Sequence, residues 1–155
     1  MIDSVLQTKN SLVFVTSVFD TGFIINNSFY GKLYASINKK DMDVTLYMWE
    51  QMPDGHYFPL GSWMQRASLA KDRSKRQLLQ PGKKELIPVT WSYLTGKKIS
   101  KGSQLIITLG VNSTYETEVN YGTGKTVSEE TIADAKEPLQ IKWFGDSFIK
   151  IPIWK

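Results

Sequence analysis

A glycine-rich segment at residues 120–130 reads NYGTGKTVSEE and contains the GTGKT run of phosphate-binding loops. A phosphate loop requires Gly-x-x-x-x-Gly-Lys-Ser/Thr, because the first glycine lets successive backbone N–H groups curve around the phosphates. Counted back from Gly124, that first position holds Val119. The preceding residues are polar and acidic, whereas a phosphate loop follows a buried apolar strand. The spacing therefore argues against a nucleotide, and we expect no cofactor.

The residue types that catalysis or metal binding would need are poorly placed. The one histidine, His56, follows a Pro-Asp-Gly turn sequence, where a base has no evident partner to orient it. No Gly-x-Ser-x-Gly nucleophile motif is present. Three aspartates that could bind calcium, Asp41, Asp43 and Asp54, do not have the spacing of a calcium loop. We therefore expect no catalytic residue and no metal site in this chain.

The net charge of +4 raises the question of a nucleic-acid partner. The basic residues cluster at residues 71–76, 83–84 and 97–98, beside turn signals such as Pro81-Gly82 and Gly96. Lysines near turns are ordinarily solvated, and no basic helix or aromatic RNA-binding signature accompanies these clusters. The charge pattern favours solvated loops, and we expect no nucleic-acid partner.

Composition indicates one globular β-rich domain. The chain has 155 residues, of which 41% are hydrophobic and 12% aromatic, enough for a single core. It contains no cysteine, which excludes disulfides and fits a reducing compartment. It shows neither an apolar run long enough to cross a bilayer nor an export signal. We expect a single domain over residues 1–155, no membrane association and a cytoplasmic location.

Alternating and β-branched runs recur along the chain, which predicts an all-β protein of eight or nine strands. Within the second predicted strand, alternate residues from Phe29 to Ile37 should share one face. Pro88 should place its strand at a sheet edge, and Gly145-Asp146 should form a hairpin turn. The apolar run at residues 104–111 should be central and covered on both faces. The predicted strands span residues 12–18, 28–37, 43–52, 57–60, 63–70, 86–91, 104–111, 139–144 and 148–153.

One short helix is expected near residues 127–135. Thr126-Val127-Ser128-Glu129 matches a capping box, in which the threonine hydroxyl and the glutamate carboxylate bind each other's backbone amide. Short strands with frequent turns and two-sided burial together predict a jelly-roll β-sandwich.

Five segments in this order resemble the C-terminal, non-catalytic domain of the X-Pro dipeptidyl-peptidase and cocaine-esterase (CocE/NonD) family of serine hydrolases. The resemblance covers residues 10 to the end of the chain. The segments are DMDVTLYMWEQMPDG (41–55), LQPGKKELIPVTW (79–91), KKISKGSQLIITLGVNS (97–113), NYGTGK (120–125) and SFIKIPIW (147–154).

The resemblance implies a galactose-binding-like jelly roll that follows an α/β-hydrolase domain in a larger enzyme. The Ser-Asp-His triad of the family lies in that other domain, so no triad residue can be assigned here. It further implies that this domain packs on the hydrolase domain, helps to wall its active-site cleft, and belongs to a dipeptidyl-peptidase or ester hydrolase. The parent enzyme could be a homo-oligomer.

The glycine-rich loop is the predicted docking surface for the hydrolase domain, because glycine allows close backbone approach and tyrosine and asparagine are suited to interfaces. In the isolated domain we expect this loop to be exposed. An ordinary polar loop remains the alternative. The predicted docking residues are Asn112, Tyr115, Asn120, Tyr121, Gly122 and Gly124.

A second function also remains open, that of a free-standing carbohydrate-binding module on the same fold. Such modules present exposed aromatic rings to sugars. The candidate rings are Trp49, Tyr57, Trp63 and Tyr93.

Overall fold

The computed structural model describes residues 5, 6, 8, 10–111 and 117–154, and these contain eleven β-strands rather than eight or nine. All pairings between them are antiparallel. The strands are β1 (Ser11–Val15), β2 (Phe23–Asn27), β3 (Tyr30–Ile37), β4 (Asp43–Gln51), β5 (Tyr57–Arg66), β6 (Glu85–Thr90), β7 (Thr95–Ile99), β8 (Gln104–Gly110), β9 (Ile141–Trp143), β10 (Phe148–Lys150) and β11 (Ile153–Trp154).

The first sheet has the order β1-β8-β4-β5. Strand β8 lies inside it and is buried on both faces, since neighbouring Leu105 and Ile106 are each 4% exposed. The predicted central strand is therefore confirmed.

Strand β5 is a single strand where the sequence predicted two. The pairing register with β4 shifts between Met48 and Trp49, so that Gly61 and Pro59 oppose them and Leu60 is the extra residue. Gly61 has φ +149°, a conformation that suits glycine and lets the strand bulge and continue. The predicted strand at residues 63–70 is wrong beyond Arg66, because Ala67–Leu69 form a 3₁₀ turn.

Strand β3 is the centre of the second sheet, with β6 on one side and both β9 and β10 on the other. Alternate residues from Phe29 to Ile37 are buried, and β6, which carries Pro88, is an edge strand. Both predictions are confirmed.

The predicted hairpin at Gly145-Asp146 is wrong. Trp143 pairs with Ala35 and Phe148 pairs with Lys32, so β9 and β10 run in the same direction along one edge of β3. The intervening residues bulge out, and the Ser147 hydroxyl accepts a 2.9 Å hydrogen bond from the amide of Tyr34 in the gap. Glycine and aspartate are common both in bulges and in hairpin turns, so the sequence alone did not distinguish the two structures at Gly145-Asp146.

A third, smaller sheet has the order β11-β2-β7 and was not predicted. Its buried side chains, such as Ile25 and Ile99, belong to one apolar cluster. The cluster also contains Leu33 of β3 in the second sheet and Leu46 and Leu109 of the first sheet. Because the sheets share this core between them, the predicted all-β sandwich is confirmed.

The predicted helix near residues 127–135 is two 3₁₀ turns, Val127–Glu129 and Ile132–Ala135. Thr126 makes no side-chain cap, so the capping box predicted there is wrong. The capping box belongs instead to Thr131 and Asp134 at the second turn. Among the described residues, no helix is long and apolar enough to cross a membrane.

Candidate functional site

The glycine-rich loop, residues 120–126, lies against the connection between β3 and β4. The amide of Lys40 donates to the carbonyl of Gly122 at 2.9 Å. Gly122 is buried with φ +77°, and a Cβ there would lie 2.7 Å from the carbonyl oxygen of Asp41. Only glycine therefore fits this contact without displacement of the backbone.

Glu130 closes the loop from the inside. Its side-chain carboxylate accepts hydrogen bonds from the amides of Tyr121 (2.7 Å) and Thr123 (3.0 Å) and from the Thr123 hydroxyl. Glu130 is 9% exposed. A phosphate loop would offer such amides to a ligand, whereas here a carboxylate of the same chain occupies two of them.

Arg76 joins the loop to a buried carboxylate. Its guanidinium donates to the carbonyls of Gly124 (3.2 Å) and Lys125 (2.6 Å) and to Oδ2 of Asp41 (3.0 Å). Asp41 is fully buried and also accepts from the amides of Met42 and Ser68 and from the Ser68 hydroxyl. These charge-assisted bonds make Asp41 a structural anchor. Arg76 is thus an exception to the expectation that its basic cluster is solvated.

Two more side chains support the loop. The Lys39 ammonium donates to the carbonyls of Tyr121 (3.0 Å) and Ala135 (2.7 Å). The Asn120 side-chain amide donates to Oδ1 of Asp43 at 3.0 Å. The expectation of an exposed loop is therefore wrong for residues 120–124, which are half-buried or buried and whose polar groups have partners within the domain.

The docking prediction itself stays a prediction. Asn112 and Tyr115 lie outside the described residues. Of the other four, Gly122 is buried, while Asn120, Tyr121 and Gly124 are half-buried. Three side chains that hold the loop were not predicted as site residues: Lys39, Arg76 and Glu130. The one available signal was that Glu130 follows a glycine-rich loop whose amides need an acceptor.

One ion pair on the loop is solvent-facing. Lys125 Nζ lies 2.6 Å from Oδ1 of Asp134, and the Thr131 amide and hydroxyl donate to Oδ2 of the same carboxylate. The neighbouring ammonium, followed by the threonine donors, lowers the pKa of Asp134 to about 2. The same pairing raises the pKa of Lys125.

The remaining chemical candidates are occupied by structural contacts. Nδ1 of His56 lies 3.3 Å from Oδ2 of Asp54 at the hairpin tip, with both side chains more than half exposed. The Asp43 carboxylate pairs with Arg66, with atoms 3.0 and 3.2 Å apart. Within the described part of the chain, no group of three or more His, Cys, Asp or Glu residues could hold a metal ion.

The four candidate sugar-binding rings do not share an exposed platform. Trp63 is 6% exposed and its indole N–H donates to the carbonyl of Thr90. Trp49 and Tyr57 are half-buried, and Tyr93 is 72% exposed. No specific contact favours the carbohydrate-binding alternative.

No family model matches the sequence, and no curated protein matches it. Solved structures do match in fold. An alpha-amino acid ester hydrolase and an aminopeptidase from a marine sediment Thaumarchaeota archaeon each have a TM-score of 0.85 and 14% identity over 94% of this chain. A CocE/NonD family hydrolase from Staphylococcus aureus has a TM-score of 0.69 and 15% identity over 96% of this chain.

The matches cover 26% of the first two neighbours and 31% of the third. The chain therefore has the fold of a domain that makes up about a quarter to a third of these hydrolases. The resemblance to CocE/NonD-type hydrolases that the sequence motifs indicated is confirmed at the level of fold.

Proposed function

We propose that this chain is an accessory, non-catalytic domain of a CocE/NonD-type serine hydrolase, C-terminal to the α/β-hydrolase domain and packed against it. The observation that carries the proposal is the coverage: nearly the whole chain matches, yet it accounts for 26% of an ester hydrolase and 26% of an aminopeptidase. The parent enzyme then hydrolyses an ester or an amide, as an ester hydrolase or an X-Pro dipeptidyl-peptidase. The domain, a galactose-binding-like jelly roll, helps to wall the active-site cleft.

The side-chain chemistry of the described residues favours a non-catalytic role for this domain. Acyl transfer needs a nucleophile, a base within hydrogen-bond reach and an orienting group. The candidate base, His56, contacts Asp54 at an exposed hairpin tip, and no described hydroxyl donates to it. The buried carboxylates Asp41 and Glu130 bind backbone amides of their own domain.

The glycine-rich loop remains our proposed docking surface, now as a rigid element. Lys39, Arg76 and Glu130 fix its backbone before any partner arrives, so docking would cost little ordering entropy. Tyr121 takes part in this network through its backbone amide and carbonyl, and its half-buried ring is the group that we propose contacts the hydrolase domain. Asn112 and Tyr115, which lie outside the described residues, stay predicted docking residues from the sequence alone.

The test is Tyr121→Ala, made both in the full-length parent and in this 155-residue chain. We expect at least a tenfold loss of turnover on ester or Xaa-Pro substrates by the parent, with an unchanged urea midpoint for the chain. Tyr93→Ala is the control, because Tyr93 is exposed and lies in the β6–β7 connection. Unfolding of the chain with full activity of the parent would make the loop structural and the docking proposal wrong.

A further inference from the structure

Strand β1 is an edge strand with four consecutive apolar residues at its surface. Leu12, Val13, Phe14 and Val15 are 45, 44, 54 and 53% exposed. No charged residue occurs between Asn10 and Phe19. Within the described part of the chain, β1 pairs with β8 alone, and no described strand lies along its other edge. An open, uncharged, apolar edge is a template for addition of another strand.

Most of the other described edge strands carry features that block such pairing. Strand β11 is the exception in composition, with Ile153 and Trp154 47 and 65% exposed, but it is only two residues long, and very short edge strands are themselves poor templates. The opposite edge of the same sheet, β5, contains Pro59 and a bulge. Strand β6 contains Pro88, and β7 carries the exposed Lys98. Lys150 lies on β10. Prolines, bulges and lysines are the ordinary protection of sheet edges, and β1 has none of them.

The outward backbone groups of β1 can be assigned from its pairing with β8. The amide of Thr16 donates to the carbonyl of Leu105 at 3.0 Å, so the backbone N–H group of Thr16 points toward β8. Because this direction alternates along an antiparallel strand, the N–H and C=O groups of Val13 and Val15 point to the open edge.

We propose that β1 pairs with β1 of a second copy of this chain, antiparallel about a two-fold axis at Phe14. Residues 11–17 read SLVFVTS, which is nearly the same in both directions. In this register the outward groups of Val13 meet those of Val15 of the other copy, and the two Phe14 side chains lie opposite each other. The two four-stranded sheets become one sheet of eight strands.

This pairing ends at a dimer. A two-fold axis uses the same edge of both copies, so neither β1 remains open afterwards. The protected β5 at the far side does not extend the sheet further. The inference is independent of the hydrolase proposal, since it uses only the edge strand and its sequence.

Sedimentation equilibrium of the 155-residue chain tests the pairing. We expect a dimer at micromolar concentration. The double substitution Val13→Glu with Val15→Glu places like charges opposite each other and should weaken association at least a hundredfold, with an unchanged circular-dichroism spectrum. The double substitution Val13→Lys with Val15→Glu places opposite charges together and should regain at least tenfold of this loss. A wild-type chain that stays monomeric at about 100 µM, a hundredfold above a micromolar dissociation constant, would overturn the proposal.

Single cysteines test the register, because the chain has no cysteine of its own. Phe14→Cys should form a disulfide-linked dimer on mild oxidation, since opposed residues of a non-hydrogen-bonded pair have Cα atoms about 4.5 Å apart. Leu12→Cys is the matched control. Its two copies would lie about 13 Å apart along the strands, too far for a disulfide. Equal cross-linking of both variants, or of Leu12→Cys alone, would overturn this register.

Discussion

The glycine-rich loop and strand β1 differ in how their bonding groups are used. The loop has a motif suited to ligands, yet Glu130, Arg76 and Lys39 of the same domain occupy its backbone groups. Strand β1 has no motif, yet it leaves an apolar edge open. A binding surface is therefore identified by groups that lack partners, whereas a motif alone identifies only a backbone shape.

Substitution of Asp41, the fully buried carboxylate that binds Arg76, should give the largest loss of stability. We expect Asp41→Ala to lower the free energy of unfolding by about 4 kcal/mol, because it leaves Arg76 and buried amide donors without their acceptor. Urea denaturation measures this change. Asp72→Ala is the control, since Asp72 is exposed and its carboxylate binds Ser74 within the same turn; a similar loss in both variants would contradict the anchoring role.

The second-largest effect is expected at Gly122, where the loop backbone lies close to the carbonyl of Asp41. Gly122→Ala should destabilise the fold by about 3 kcal/mol, from the left-handed conformation together with the clash against the carbonyl of Asp41. Gly55→Ala is a matched control with φ +87° and no atom within 4 Å of the new Cβ. It should cost about 1 kcal/mol, from conformation alone. Equal urea midpoints for the two variants would show that Gly122 has room for a side chain.

The Glu130 carboxylate should have a smaller and more local effect. Glu130→Ala leaves the amides of Tyr121 and Thr123 without their acceptor and should cost about 2 kcal/mol. Hydrogen exchange at these two amides should accelerate more than exchange in β8. The exposed neighbour Glu129 supplies the control variant, Glu129→Ala. Unchanged protection of both amides in Glu130→Ala would mean that the loop does not depend on this residue.

Local sequence patterns predicted those parts of the fold that local chemistry decides. Alternation placed residues 29 to 37 on one buried face, and Pro88 indicated an edge strand. The turn at Gly145-Asp146 was misassigned because pairing of β9 and β10 with β3 joins residues about a hundred positions apart. Local signals do not contain such a register.

The support of the loop was beyond sequence reasoning for the same reason. Arg76 and Gly124 are 48 residues apart, and Lys39 and Tyr121 are 82 apart. A charged side chain beside a turn is ordinarily solvated, so nothing local marks Arg76 as half-buried and paired with a buried carboxylate. The apolar character of β1 was visible, and its prediction as a strand is confirmed for residues 12–15. The exposure of β1 could not be predicted in this way, because it depends on which other elements of the fold cover the strand.

The solvent-facing ion pair between Lys125 and Asp134 should give the smallest effect on stability, and only on acidification. The pKa of Asp134 is lowered to about 2 from 3.8, chiefly by Lys125. Because the folded state has the lower pKa, the stabilisation is complete above pH 3.8 and is lost as the pH falls through about 2. A carboxyl NMR titration should therefore find Asp134 still largely ionised at pH 3. Lys125→Gln should move the midpoint of Asp134 toward 3.8 and leave β8 protected from exchange. Lys101→Gln, in the turn between β7 and β8, should leave the midpoint unchanged; an equal shift in both variants would mean that general surface charge, rather than this ion pair, lowers the pKa of Asp134.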